Sequence, residues 1–127
     1  MHTPELDDQG LPEGAPFDPE WEVAPRDVRA MLDADPDGMI LLDCRTERER
    51  EIVAIEPSEF VPLAELPDRV EELRDHKDKP VVVYCHHGRR SLEATMILRR
   101  AGFPKAMSMA GGVDLWSIAV DPSAERY

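Results

Sequence analysis

The sequence predicts an α/β fold built on a parallel sheet, and three observations carry that expectation. Two short runs, Met39-Ile40-Leu41-Leu42-Asp43 and Pro80-Val81-Val82-Val83-Tyr84, are nearly all apolar, as strands covered on both faces are. Stretches whose apolar residues recur at helical spacing fall between the strand candidates. Strands and helices alternate along the chain, with no internal repeat.

In chain order, Trp21-Glu22-Val23 is a short strand candidate. Arg26 to Ala34 places Val28, Met31 and Leu32 at helical spacing and closes at Asp35-Pro36-Asp37-Gly38. After the strand at 39–43, the Arg- and Glu-rich stretch Thr46 to Glu51 reads as a helical turn, and Phe60-Val61 is a brief strand stopped by Pro62. Asp68 to Asp75 reads as an amphipathic helix with Val70 and Leu73 inward, and Lys79-Pro80 ends that connection. The strand at 80–84 runs into a loop, Cys85 to Arg90. A helix follows from Ser91 to Ala101 with Leu92, Thr95, Met96 and Leu98 inward and Gly102 as its stop. Ala106 to Met109 is a strand, Gly111-Gly112 a turn, and Val113 to Ser117 begins a last helix.

The 127 residues carry a formal net charge of −12, and that acid is unevenly spread. Residues 1–25 hold seven carboxylates and no Lys or Arg; with Pro4, Pro12, Pro16 and Pro19, residues 1–20 are expected to be an acidic, flexible leader, and 21–127 the single folded domain. Phosphate contacts need basic clusters, so nucleic acid is not an expected partner. No apolar run is long enough to span a bilayer. The start Met1-His2-Thr3-Pro4-Glu5 lacks a basic head followed by an apolar stretch, so no secretory signal is expected and the reducing cytoplasm is the expected compartment for the free thiols Cys44 and Cys85.

The chemistry concentrates at Cys85-His86-His87-Gly88-Arg89-Arg90-Ser91. A cysteine ends an apolar strand and a tight loop leads into a helix, the place where open α/β sheets bind ligands. Loop amides and the helix N-terminus offer positive ends of dipoles, Gly88 permits the turn, Ser91 is a candidate N-cap, and Arg89 and Arg90 add full charges. Together these depress a thiol pKa below its free value of ~8.5. In an acidic chain, two His and two Arg around one Cys make a site for an anion. They are poor core material, which weighs against a merely buried Cys85. Adjacent Cys85, His86 and His87 do not suit one tetrahedral ion and no second Cys-His cluster completes the set, so neither metal nor cofactor is expected.

The pattern Cys-x-x-Gly-x-Arg-Ser at 85–91 resembles the active-site loop of rhodanese-like domains. Leu42-Asp43-Cys44-Arg45 is similar to the family's strand-end Asp-x-Arg, Phe60-Val61-Pro62-Leu63 to its short strand before a proline, and Gly111-Gly112-Val113-Asp114-Leu115-Trp116 to its late turn. The ending, through Arg126-Tyr127, is similar to that of a bacterial single-domain subgroup. The resemblance covers about residues 22–127. The chain departs from it at Val53-Ala54-Ile55-Glu56-Pro57-Ser58, where the family has Gly-His-Ile-Pro-Gly-Ala, and at Cys44, where valine is usual. Cys44 is read as a core residue in preference to a resolving thiol.

What the resemblance implies is a three-layer fold with a mostly parallel central sheet flanked by helices, and thiosulfate sulfurtransferase activity without a cofactor. Cys85 is then the nucleophile that carries a sulfane sulfur as a persulfide, cradled by His86, His87, Gly88, Arg89 and Arg90. Arg90 is expected to reach a carboxylate, with Glu49 a candidate, while Asp43 pairs with Arg45 and Ser91 supports the loop. The expected partners are a small anionic sulfur donor and a thiol or cyanide acceptor, with a protein acceptor left open. Two rival readings remain at this point. A cysteine phosphatase or arsenate reductase places its arginine six positions after the nucleophile, where this chain has Ser91 and keeps Arg90 at five. A non-catalytic docking module of the same fold usually lacks the cysteine.

Overall fold

The computed structural model describes residues 3–127; Met1 and His2 of the leader lie outside the described residues. Five parallel strands form one sheet in the order β1-β5-β4-β2-β3: β1 Glu22–Val23, β2 Ile40–Asp43, β3 Glu59–Phe60, β4 Val81–Tyr84 and β5 Ala106–Met109. The sheet is parallel throughout. Central β4 is buried over its whole length, with its side chains alternating between two layers. Val81, Val83 and Cys85 join Leu42, Cys44, Leu66, Leu73, Ala94, Leu98 and Phe103 on one face. Val82 and Tyr84 join Val28, Leu32, Leu41, Met109, Val113 and Trp116 on the other. Helices α1 Pro25–Ala34 and α5 Gly112–Ala119 cover the second face, and α3 Leu66–Arg69 and α4 Arg89–Arg100 the first. No helix among the described residues is long and apolar enough to cross a membrane.

Several elements differ from expectation for identifiable reasons. The helix expected over 68–75 is a short α-helical turn, α3, followed by a 3₁₀ segment, Val70–His76, with Leu73 buried. Its ion pairs Arg69–Glu72 and Arg74–Glu71 are three residues apart, the spacing at which side chains eclipse in 3₁₀ winding. Ser91 is not an N-cap: α4 starts at Arg89, with Gly88 as the cap residue at φ 101°. That start centres the buried face on Ser91, Ala94, Thr95 and Leu98, leaving Met96 on the opposite side and 42% exposed. The leader, expected to bury little, seats Leu11 at 5% exposure beside Ala24, Ala110 and Leu115. A turn held by the Asp7 carboxylate, which accepts from the amides of Gln9 and Leu11, presents it.

Candidate active site

The loop after β4 is shaped by where its backbone groups find partners. The Cys85 and His86 carbonyls accept from the amides of Val113 and Asp114, at 2.8 and 3.2 Å, in the first turn of α5. This approach is close: a Cβ on Gly112 would lie 2.4 Å from the His86 oxygen and 2.5 Å from that of Cys85. With those carbonyls turned outward, amides face inward. Gly88 N donates to Cys85 Sγ at 3.1 Å and Ser91 N at 3.4 Å. The sulfur therefore takes an orphan N–H of the first turn of α4, the work a capping oxygen does elsewhere. Ser91 Oγ lies 3.4 Å from Sγ and is anchored 2.7 Å from Ser108 Oγ.

A further influence comes from the residue after β2. The Cys44 thiol, on the same face of the sheet, is the largest influence on the Cys85 sulfur, ahead of the opposing effect of burial and of the Ser91 and Gly88 contacts; the Cys85 thiol is lowered to about 5. Cys44 moves the other way, its thiol pushed far up by the Cys85 sulfur and by burial. Two sulfurs thus share one proton, which stays on Cys44. Both cysteines are free and 1% exposed.

Around this cradle the remaining site residues separate into layers. Arg90 turns both terminal nitrogens to Glu49, at 2.6 and 2.9 Å. That bond holds the Glu49 carboxyl well below the usual carboxylate range. Glu49 is itself placed by a capping box with Thr46 at the start of α2, Glu47–Ile52. Asp43 and Arg45 are both fully buried; Asp43 Oδ1 accepts from Arg45 Nε at 2.9 Å, and Oδ2 from Arg45 Nη2, Arg50 Nη1 and the Tyr84 hydroxyl at 2.8, 3.1 and 3.1 Å. His86 is half-buried against Tyr127, ring centroids 3.8 Å apart and nearly parallel, and burial followed by His87 pushes its pKa down. His87 and Arg89 are exposed at the rim, His87 3.9 Å from Asp114. No group of three His, Cys, Asp or Glu side chains among the described residues is arranged to hold a metal ion.

The structure thus gathers Cys85, Gly88 and Ser91 at the sulfur, Arg90 with Glu49 beside them, and Asp43 with Arg45 beneath the loop. Sequence reasoning missed three contributors. Tyr127 donates to Glu49 at 2.6 Å and accepts from Arg45 at 3.0 Å, an end-of-chain residue with no local pattern to mark it. Ser108 backs Ser91 from β5. Cys44 had a signal in the sequence: Asp43-Cys44 and Tyr84-Cys85 each end a strand, and pairing those ends sets the thiols side by side.

The family model of the rhodanese-like domain matches residues 24–119. This chain belongs to the rhodanese-like domain family. Its fold is shared with the thiosulfate sulfurtransferase of Pseudomonas aeruginosa, 32% identical with a TM-score of 0.72 over 84% of this chain and 20% of that one. A rhodanese-related protein of Thermoplasma volcanium is 27% identical, with a TM-score of 0.64 over 76% of this chain and 89% of that one. Among curated proteins, the tRNA uridine(34) hydroxylase of Cronobacter sakazakii is 37% identical over 91 residues, 68% of this chain and 26% of that protein. The chain spans about a quarter of the length of such curated relatives. Sulfurtransferases are among its structural neighbours.

Proposed function

We propose that this rhodanese-like domain is a cytoplasmic sulfurtransferase that moves a sulfane sulfur from thiosulfate, or a donor of the same chemistry, to a thiol or cyanide. The observation that carries the reading is the convergence of the Gly88 and Ser91 amides and the Ser91 hydroxyl on one buried sulfur, with the Cys44 thiol on the same face of the sheet. A docking module has no use for a thiol ionised at neutral pH. The hydroxylation in the curated relatives' name belongs to proteins about four times the matched length, and the net charge of −12 favours small anions held locally over a phosphate backbone.

The Cys85 thiolate attacks the outer sulfur of thiosulfate; the donor's S–S bond breaks and sulfite leaves with its electron pair. The persulfide Cys85–S–S⁻ keeps its charge among the loop amides, which stabilise it electrostatically. An acceptor nucleophile then takes the outer sulfur and returns the thiolate. Asp43, Arg45, Glu49 and Arg90 hold the loop; His87 and Arg89 stand where donor and acceptor arrive.

Thiosulfate and cyanide supplied to the purified protein should yield thiocyanate, and brief exposure to thiosulfate alone should add one sulfur, about 32 Da, as a reversible persulfide. Cys85→Ser should do neither. Thiocyanate formation that survives Cys85→Ser would overturn the reading.

A further inference from the structure

Cys44 takes no covalent part in the transfer just described, yet the sheet sets it beside the nucleophile. β2 and β4 run parallel with Asp43 opposite Tyr84, and the Cys44 amide donates to the Tyr84 carbonyl at 3.1 Å, so the ladder continues one residue beyond both strands. Cys44 and Cys85 are therefore level with each other. Adjacent strands lie about 4.8 Å apart, within the ~4.4–6.8 Å separation of Cα atoms that a disulfide spans. Alternation puts both side chains on the same face, with Leu42, Val81 and Val83.

We propose that Cys44 resolves the Cys85 persulfide and gives the enzyme a second activity, the reductive release of the sulfane sulfur as sulfide. This rests on the sulfurtransferase reading above. Cys44 Sγ attacks Cys85 Sγ; the Sγ44–Sγ85 bond forms and the bond from Cys85 to the outer sulfur breaks. The outer sulfur leaves with that electron pair and with the Cys44 proton, as HS⁻. The two cysteine sulfurs are oxidised to a disulfide and the sulfane sulfur is reduced to sulfide, with no further reactant. A dithiol reductant then restores both thiols, so that thiosulfate and a dithiol become sulfite, sulfide and a disulfide. Loading also explains the timing. While Cys85 is a thiolate it pins the proton on Cys44; once Sγ is bonded to a second sulfur, the charge moves outward to the loop amides and the pinning anion is gone.

The test is a time course of fully reduced protein, freed of reductant, mixed with thiosulfate and no acceptor. Wild type should first gain one sulfur, then convert to a species about 2 Da lighter than the dithiol, whose peptide map contains a Cys44–Cys85 crosslink, as one equivalent of sulfide is released per chain. Cys44→Ser keeps a hydrogen-bond donor but lacks the second sulfur; it should hold the persulfide and release no sulfide. Cys44→Ala should do the same if the serine variant does not fold. A wild-type protein that keeps its added sulfur as long as Cys44→Ser does, with no crosslink, overturns the proposal and leaves the transfer reading intact. If neither form ever loads sulfur, both fall together.

Discussion

Replacing Cys44 with alanine removes the largest influence on the Cys85 sulfur, acting as a thiol donor, while leaving the Gly88 and Ser91 contacts at 3.1 and 3.4 Å. A hydrogen bond to a charged group is worth ~1.5–3 kcal/mol, and one pKa unit corresponds to about 1.4 kcal/mol. The Cys85 midpoint should therefore climb from about 5 by roughly one to two units. At pH 6 the wild-type thiol is about nine-tenths ionised, and the variant half ionised or less. The assay is the rate of iodoacetamide alkylation of the reduced protein from pH 4 to 9, which follows the thiolate population. Cys44→Ser, whose hydroxyl still donates, should fall between the two. An alanine variant whose midpoint is unmoved or lower would refute the shared-proton account.

Three further outcomes follow from the layers around the cradle. Asp43→Asn leaves the fully buried Arg45 without its carboxylate and should lower unfolding free energy by ~3–5 kcal/mol in urea titration. Glu49 has a depressed carboxyl pKa in the fold, so its stabilising effect is fully present above the unfolded value of about 4.3 and lost as pH falls through the lower folded one; wild type should exceed Glu49→Gln in stability at pH 7, with the gap closing as pH falls below about 4. Gly112→Ala forces a Cβ against the Cys85 and His86 carbonyls at φ 62° and should impair sulfur loading, whereas Gly14→Ala, at φ 77° with nothing within 4 Å, should carry only the ~1–2 kcal/mol left-handed penalty and load normally.

Much of the architecture was legible because β2, β4 and β5 are short apolar runs between helical stretches, and the Cys85 loop was legible because its composition is improbable in a core. Register was harder to read. A strand buried on both faces has no alternation, so nothing local says which residue of β2 faces which residue of β4. That is why Cys44 read as ordinary core: its burial was expected, its neighbour was not. The stretch 68–75 misled for a related reason, since Val70 and Leu73 satisfy helical spacing while the chain from Val70 to His76 winds as a 3₁₀ segment. Tyr127 lay beyond any local pattern, its contacts with Arg45 and Glu49 spanning about eighty residues.

A sulfur held by the Gly88 and Ser91 amides and the Ser91 hydroxyl gives the cycle an electrostatic economy. Thiosulfate enters and sulfite departs with the same double negative charge, and the enzyme holds a single negative charge before and after, displaced outward by one S–S bond of about 2.05 Å. No proton has to enter or leave the pocket during loading, and the dipoles of α4 and its loop need not reorient. Between the ionisation of Cys85 and that of its surroundings, the first half of the reaction therefore runs on a flat pH plateau, indifferent to buffer.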